Sequence, residues 1–186
     1  MYCVPVAAGQ LLNYFEDQCR FVEALPLALR DQVLVRLQPG RSRGENKRWE
    51  ERFPALQLDE GLQTITGLMS KSRLCISTCN STVYLESMAL NIPTIIFFNP
   101  KYGELRDSTI PYFEQLKAVG IFHETPESAA KQMVMVWDDV ADWWESATVQ
   151  SVRQEFCKRY TYFPDRPLDI MEKLFRDVAT TPHAKS

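Results

Sequence analysis

The chain has 186 residues, 45% apolar and 24% charged, with a formal net charge of -3. A polypeptide of that size buries roughly 70% of its unfolded surface without a metal or disulfide staple, and this apolar fraction excludes an intrinsically disordered chain. The acidic balance excludes a nucleic-acid binder that works through bulk positive charge, and no run reaches the ~18 apolar residues of a membrane span.

Gln10 to Leu29 carries apolar residues at helical spacing, Leu12, Phe15, Cys19, Val22 and Leu25 among them. Asp31 to Gln38 reads as a short strand closed by Pro39-Gly40. A polar loop and a charged helix, Lys47 to Phe53, precede a second strand at Ala55 to Asp59 and a helix at Leu62 to Lys71. A third strand, Arg73 to Ser77, leads through a polar turn into a helix, Thr82 to Leu90. Pro93 to Phe98 is the fourth strand, Pro111 to Val119 a helix and Ile121 to His123 a short fifth strand. Thr125-Pro126-Glu127 is a helix start signal, and the chain reads as helix from there on.

Strands alternating with helices predict an α/β fold, a Rossmann-like, doubly wound parallel sheet of about five strands with a C-terminal helical extension. One domain over residues 1–179 is expected, with a frayed tail at 180–186. The opening MYCVPVAAGQLL has no basic n-region, which argues against a signal peptide. Cys3, Cys19, Cys75, Cys79 and Cys157 are odd in number and irregularly spaced, which favours a cytoplasmic location over a disulfide framework.

In an open parallel sheet, ligands sit at the carboxyl ends of strands. There the third strand runs into Ser77, Thr78, Asn80, Ser81 and Thr82, and then directly into a helix. Small hydroxyl and amide residues at a helix start surround free backbone amides, and the positive end of the helix dipole favours a phosphate or diphosphate. The competing reading is plain capping, with Ser81 or Asn80 satisfying those amides and no ligand involved. Glu86 lies about one turn further, where a carboxylate can accept two ribose hydroxyls. Asn91 suits the left-handed end of the helix, and Pro93 stops it.

The pattern turn-helix-Glu86-x-x-x-Leu90-Asn91-x-Pro93-strand resembles the nucleotide-binding C-terminal lobe of GT-B glycosyltransferases. NSTVYLESMALNIPTIIFF, LRDSTIPYFEQLKAVGIFHETPESAA and DWWESATVQSVRQEFCKRY are similar, more closely, to a family of transferases encoded in bacterial surface-carbohydrate clusters. The resemblance implies that Ser81 and Thr82 cradle a diphosphate and that Glu86 holds the ribose. It also implies a nucleotide-activated sugar as substrate, with no separate cofactor, and a carbohydrate or lipid-linked acceptor, with a location in the cytoplasm or at the inner membrane face. The acceptor lobe of such enzymes precedes the donor lobe, so an N-terminal partner lobe is implied as well. Two positions depart from the pattern: Thr78 stands where many retaining members carry an acid, and Asn91 stands where a glycine is usual.

Arg36 and Arg41 are candidates for bidentate contacts to the diphosphate, against a solvated basic loop. Arg106, in the loop after the fourth strand, is a candidate for the donor sugar, against a local pair with Asp107. His123 follows the fifth strand and is either a loop residue beside the nucleotide or structural. Two histidines and scattered cysteines make no metal site, and Asp138-Asp139-x-x-Asp142 is a charged helix face rather than half of a prenyl-diphosphate site. No residue is assigned to catalysis. Two functions follow: the donor-binding lobe of a glycosyltransferase-type transferase, or a non-catalytic doubly wound module working through protein contacts. In the second, Trp143, Trp144, Phe156, Tyr160 and Tyr162 form the partner surface.

Overall fold

The computed structural model describes residues 8–37, 44–101, 103–161 and 167–180. The expected first helix is two, α1 (Leu11–Ala24) and α2 (Leu27–Arg30). Pro26 lies between them and can neither continue the backbone ladder nor let its predecessor stay helical. Then come β1 (Leu34–Arg36), α3 (Glu45–Arg52), β2 (Gln57–Asp59), α4 (Ile65–Lys71), β3 (Cys75–Ser77), α5 (Thr82–Ala89) and β4 (Thr94–Phe97). α6 (Ile110–Ala118), β5 (Phe122–His123) and α7 (Pro126–Val136) follow. The helical extension is broken into α7, α8 (Val140–Glu145), α9 (Ala147–Tyr160) and α10 (Pro167–Thr180). Asp139 and Ser146 restart it by accepting from the amides of Asp142 and Val149.

All pairing is parallel, as expected, but the five strands form two sheets rather than one continuous ladder. β1 pairs with β2, with Arg36 opposite Asp59. β4 lies between β3 and β5, with Ser77 opposite Ile96 and Phe97 opposite His123. No ladder joins β1 to β3 among the described residues.

The three-stranded sheet is covered on both faces. Ile95 and Phe97 pack with α1 and α7 through Phe21, Val22, Ala129, Ala130 and Met133. Ile96 and Phe98 face the other way, among Tyr84, Met88, Phe113, Leu116 and Phe156 of α5, α6 and α9. Every residue of β4 is buried, so the strand reads as an unbroken apolar run rather than an alternating one. The β1–β2 pair joins the α1 side, where Val35, Leu37 and Leu58 meet Trp49 of α3.

The aromatics that only the non-catalytic alternative places on a partner surface pack the helical extension back onto the sheet. Trp144 is 1% exposed and Phe156 2%, while Trp143 and Tyr160 pack against the same cluster. Tyr162 lies outside the described residues. Trp144 Nε1 bonds to the Asn91 carbonyl and side chain, at 3.1 and 3.0 Å, and buried Arg153 donates to the Met88 carbonyl at 2.7 Å. Both contacts terminate α5 and so brace the helix that follows the polar turn. No helix among the described residues is long and apolar enough to cross a membrane.

Candidate functional site

The turn between β3 and α5 begins at Ser77, which is buried and directs its hydroxyl to the Cys79 carbonyl at 3.4 Å. Thr78 is half-buried, its hydroxyl 2.9 Å from that of Tyr14 on α1. The Asn80 side-chain oxygen accepts the Tyr84 hydroxyl at 2.8 Å. Ser81 then heads α5 with extended backbone, φ -137° and ψ 174°, yet its side chain caps no amide.

That last point sets α5 apart from four other helices, although α1, α2, α3 and α6 also start without a side-chain cap. Thr64, Thr125, Asp139 and Ser146 head α4, α7, α8 and α9, and each accepts a hydrogen bond from an amide of the first turn. Ser81 occupies the equivalent position without doing so, and Asn80 is taken up by Tyr84. The capping reading is therefore not what the structure adopts. The first amides of α5 have no side-chain cap, and the helix dipole places partial positive charge there. Thr82 is exposed beside them, and Glu86, one turn along, is exposed with no ion-pair partner among the described residues. An anion with several oxygens satisfies such a set of donors.

The other candidates divide. Arg36 is engaged: its guanidinium pairs with the buried carboxylate of Asp59, its partner in the β1–β2 register. The sequence expectation that it contacts a diphosphate overlooked this partner, which lies on another strand 23 residues away. Arg41 lies outside the described residues. Arg106 is exposed in the loop after β4, and neither Asp107 nor any other described carboxylate pairs with it. Its carbonyl accepts the Thr109 hydroxyl at 2.7 Å.

His123 ends β5, two strands from Ser77 through β4. At ~4.8 Å per strand that is about 10 Å along the carboxyl edge. Its ring is half-buried, and Nε2 donates to the Gly120 carbonyl at 3.1 Å, which leaves Nδ1 as the acceptor. Burial pushes the His123 pKa below its ordinary value, against the opposing pull of that hydrogen bond. The adjacent Glu124 is held by Lys117 at 3.0 Å.

Tyr14 and Tyr84 were not anticipated. Burial, with the Cys79 thiol beside it, pushes the Tyr14 pKa far up. Burial likewise moves Tyr84 up to about 12. The one available sequence signal was a tyrosine on the apolar side of an amphipathic helix, whose hydroxyl needs a partner. No group of histidine, cysteine or carboxylate side chains among the described residues can hold a metal ion.

None of the curated proteins or solved structures compared matches the chain. A family match extends over residues 1–175, beyond the segments that carry the sequence resemblance. The chain belongs to the LIC12162 family of transferases.

Proposed function

We propose that this transferase-family chain is the donor-binding lobe of a GT-B-type glycosyltransferase of surface-carbohydrate biosynthesis, with a nucleotide-activated sugar as donor. One observation carries the reading: α5, headed by Ser81 at the carboxyl end of β3, leaves its first amides without a side-chain cap. The diphosphate of the donor takes those amides together with Ser81 and Thr82, and Glu86 accepts the ribose hydroxyls. Donors fixed before the reaction stabilise the charge that develops as the nucleoside diphosphate departs, a large term in group-transfer catalysis. Arg106, which pairs with no carboxylate among the described residues, is a cation open to the sugar side of the donor. Arg36 is not assigned a ligand role, because Asp59 neutralises it.

His123 at the end of β5 and the loop after β4 lie along the same carboxyl edge of the three-stranded sheet. The acceptor and a general base come from a further lobe that closes over this edge, as the GT-B resemblance implies. Calorimetric titration with UDP, CDP and GDP tests the donor reading directly. We expect one of the three to bind, and Glu86→Gln to weaken it by roughly tenfold, the size of a lost charged hydrogen bond. The thermal midpoint should not move, since Glu86 is exposed. Equal affinity in the variant removes the ribose role, and no binding of any nucleotide removes the donor reading.

A further inference from the structure

Thr78 and Asn80 lie in the stretch marked for ligand binding, yet both side chains are already engaged by tyrosines. The Thr78 hydroxyl meets Tyr14, which arrives from α1, 64 positions earlier. Asn80 meets Tyr84 of α5. α1 packs on one face of the three-stranded sheet and α5 on the other. The turn is thus tied to both helical layers at once. The Ser77 hydroxyl closes the turn from within through the Cys79 carbonyl. These contacts consume the polar side chains of residues 77, 78 and 80, whereas those of Ser81 and Thr82 make no hydrogen bond among the described residues.

We propose that Tyr14 is a positioning residue of the donor site: by holding Thr78 from α1, it fixes the turn so that Ser81, Thr82 and the first α5 amides meet a diphosphate already in place. The proposal rests on the donor reading above, and it divides the turn into a half that is held and a half that binds. Tyr84 holds the opposite side, but it is also a core residue at 4% exposure. Tyr14 is therefore the cleaner handle, because removing its hydroxyl leaves the ring packing intact. Order supplied before binding does not have to be created by the ligand, so it appears as affinity.

Tyr14→Phe and Thr78→Val, singly and together, test this with two readouts. The first needs no ligand. Amide hydrogen exchange in the peptide covering residues 78–84 should quicken by roughly fivefold in either variant, as one lost hydrogen bond predicts. Exchange in β4 and α7 should stay at the wild-type rate. A purely structural role for Tyr14 would instead spread the change along α1 and α7 and lower the thermal midpoint with it. The second readout is calorimetry with UDP, CDP and GDP. Affinity should fall by roughly fivefold in each single variant, and no further in the double variant, because both changes remove the same contact.

Unchanged exchange at 78–84 overturns the clamp. Exchange that quickens while nucleotide affinity holds overturns the positioning role and leaves the donor reading standing. If the unaltered protein binds none of the nucleotides, the donor reading falls and takes the ligand half of the proposal with it. Additive losses in the double variant show that the two residues act separately, which also overturns the proposal.

Discussion

His123 illustrates how much one ring can report at the carboxyl edge of the sheet. Burial lowers its pKa in the folded chain, whereas in the unfolded chain it titrates near 6.5. The unfolded state then holds more protons in the window just below that value, and stability rises with pH wherever that is so. No penalty from His123 exists above about pH 6.5, and one grows as pH falls from there toward the depressed folded value. The urea midpoint should therefore drop as pH falls below about 6.5, and His123→Asn should remove most of that drop. A variant with the same slope would assign the pH dependence to other groups. Asp59 makes a second residue-scale case, being 6% exposed and paired with Arg36, whose side chain is 22% exposed. Asp59→Ala leaves the guanidinium without its carboxylate. Breaking a fully buried pair costs about 3–5 kcal/mol, and because water reaches this arginine the loss should be nearer ~2 kcal/mol by urea denaturation.

At the scale of elements, the α5–β4 corner shows which features the sequence makes legible and which it hides. The expected helix, Thr82 to Leu90, is found as Thr82–Ala89, and the expected left-handed residue, Asn91, has φ 55°. Small polar residues, a periodic stretch, and then Asn and Pro are local signals, and local signals suffice for one helix. Partners distant in the chain were not legible. Nothing around Asn91 announces that its side chain accepts from Trp144 Nε1 and from Gln150 Nε2, at 3.0 and 3.1 Å. Nor does anything around Thr78 announce Tyr14, or around Arg36 its Asp59. The turn reads in the sequence as a place rich in helix-start donors, but the occupied side chains within it were indistinguishable from the open ones. Sheet pairing was hidden for the same reason: apolar runs identify strands one at a time, and no ladder joins β1 to β3 among the described residues. The corner yields a ranking. Asn91→Ala loses both side-chain contacts and keeps a Cβ at positive φ, so it should cost about 2 kcal/mol. Asn91→Gly loses the same contacts but frees the backbone, so it should cost roughly half as much. Urea midpoints in the order Asn, Gly, Ala are expected, and Ala above Gly would show that the left-handed backbone carries no strain.

Over the whole molecule, two apolar clusters share the three-stranded sheet, and each is built from residues far apart in sequence. Trp144 and Phe156 of the helical extension belong to one of them, so the extension as far as α9 is structural cover. α10 differs. Leu168, Met171, Leu174 and Phe175 recur at helical spacing, and they remain 76, 50, 57 and 69% exposed. A 14-residue helix is marginal when isolated in water, and tertiary packing of its apolar face normally supplies its stability. The Glu172–Arg176 pair at 2.6 Å is solvent-exposed and contributes little. The two clusters and α10 should therefore respond differently to loss of apolar side chains. Phe156→Ala removes a ring from a packed core and should cost about 3–5 kcal/mol. Leu174→Ser combined with Phe175→Ser removes two larger apolar groups in total, yet should change the urea midpoint by no more than ~0.5 kcal/mol, because neither is buried in the folded chain. Circular dichroism should show the double variant losing only the signal of about one helix. A loss comparable to that of Phe156→Ala would mean that this face of α10 packs within the same chain in solution.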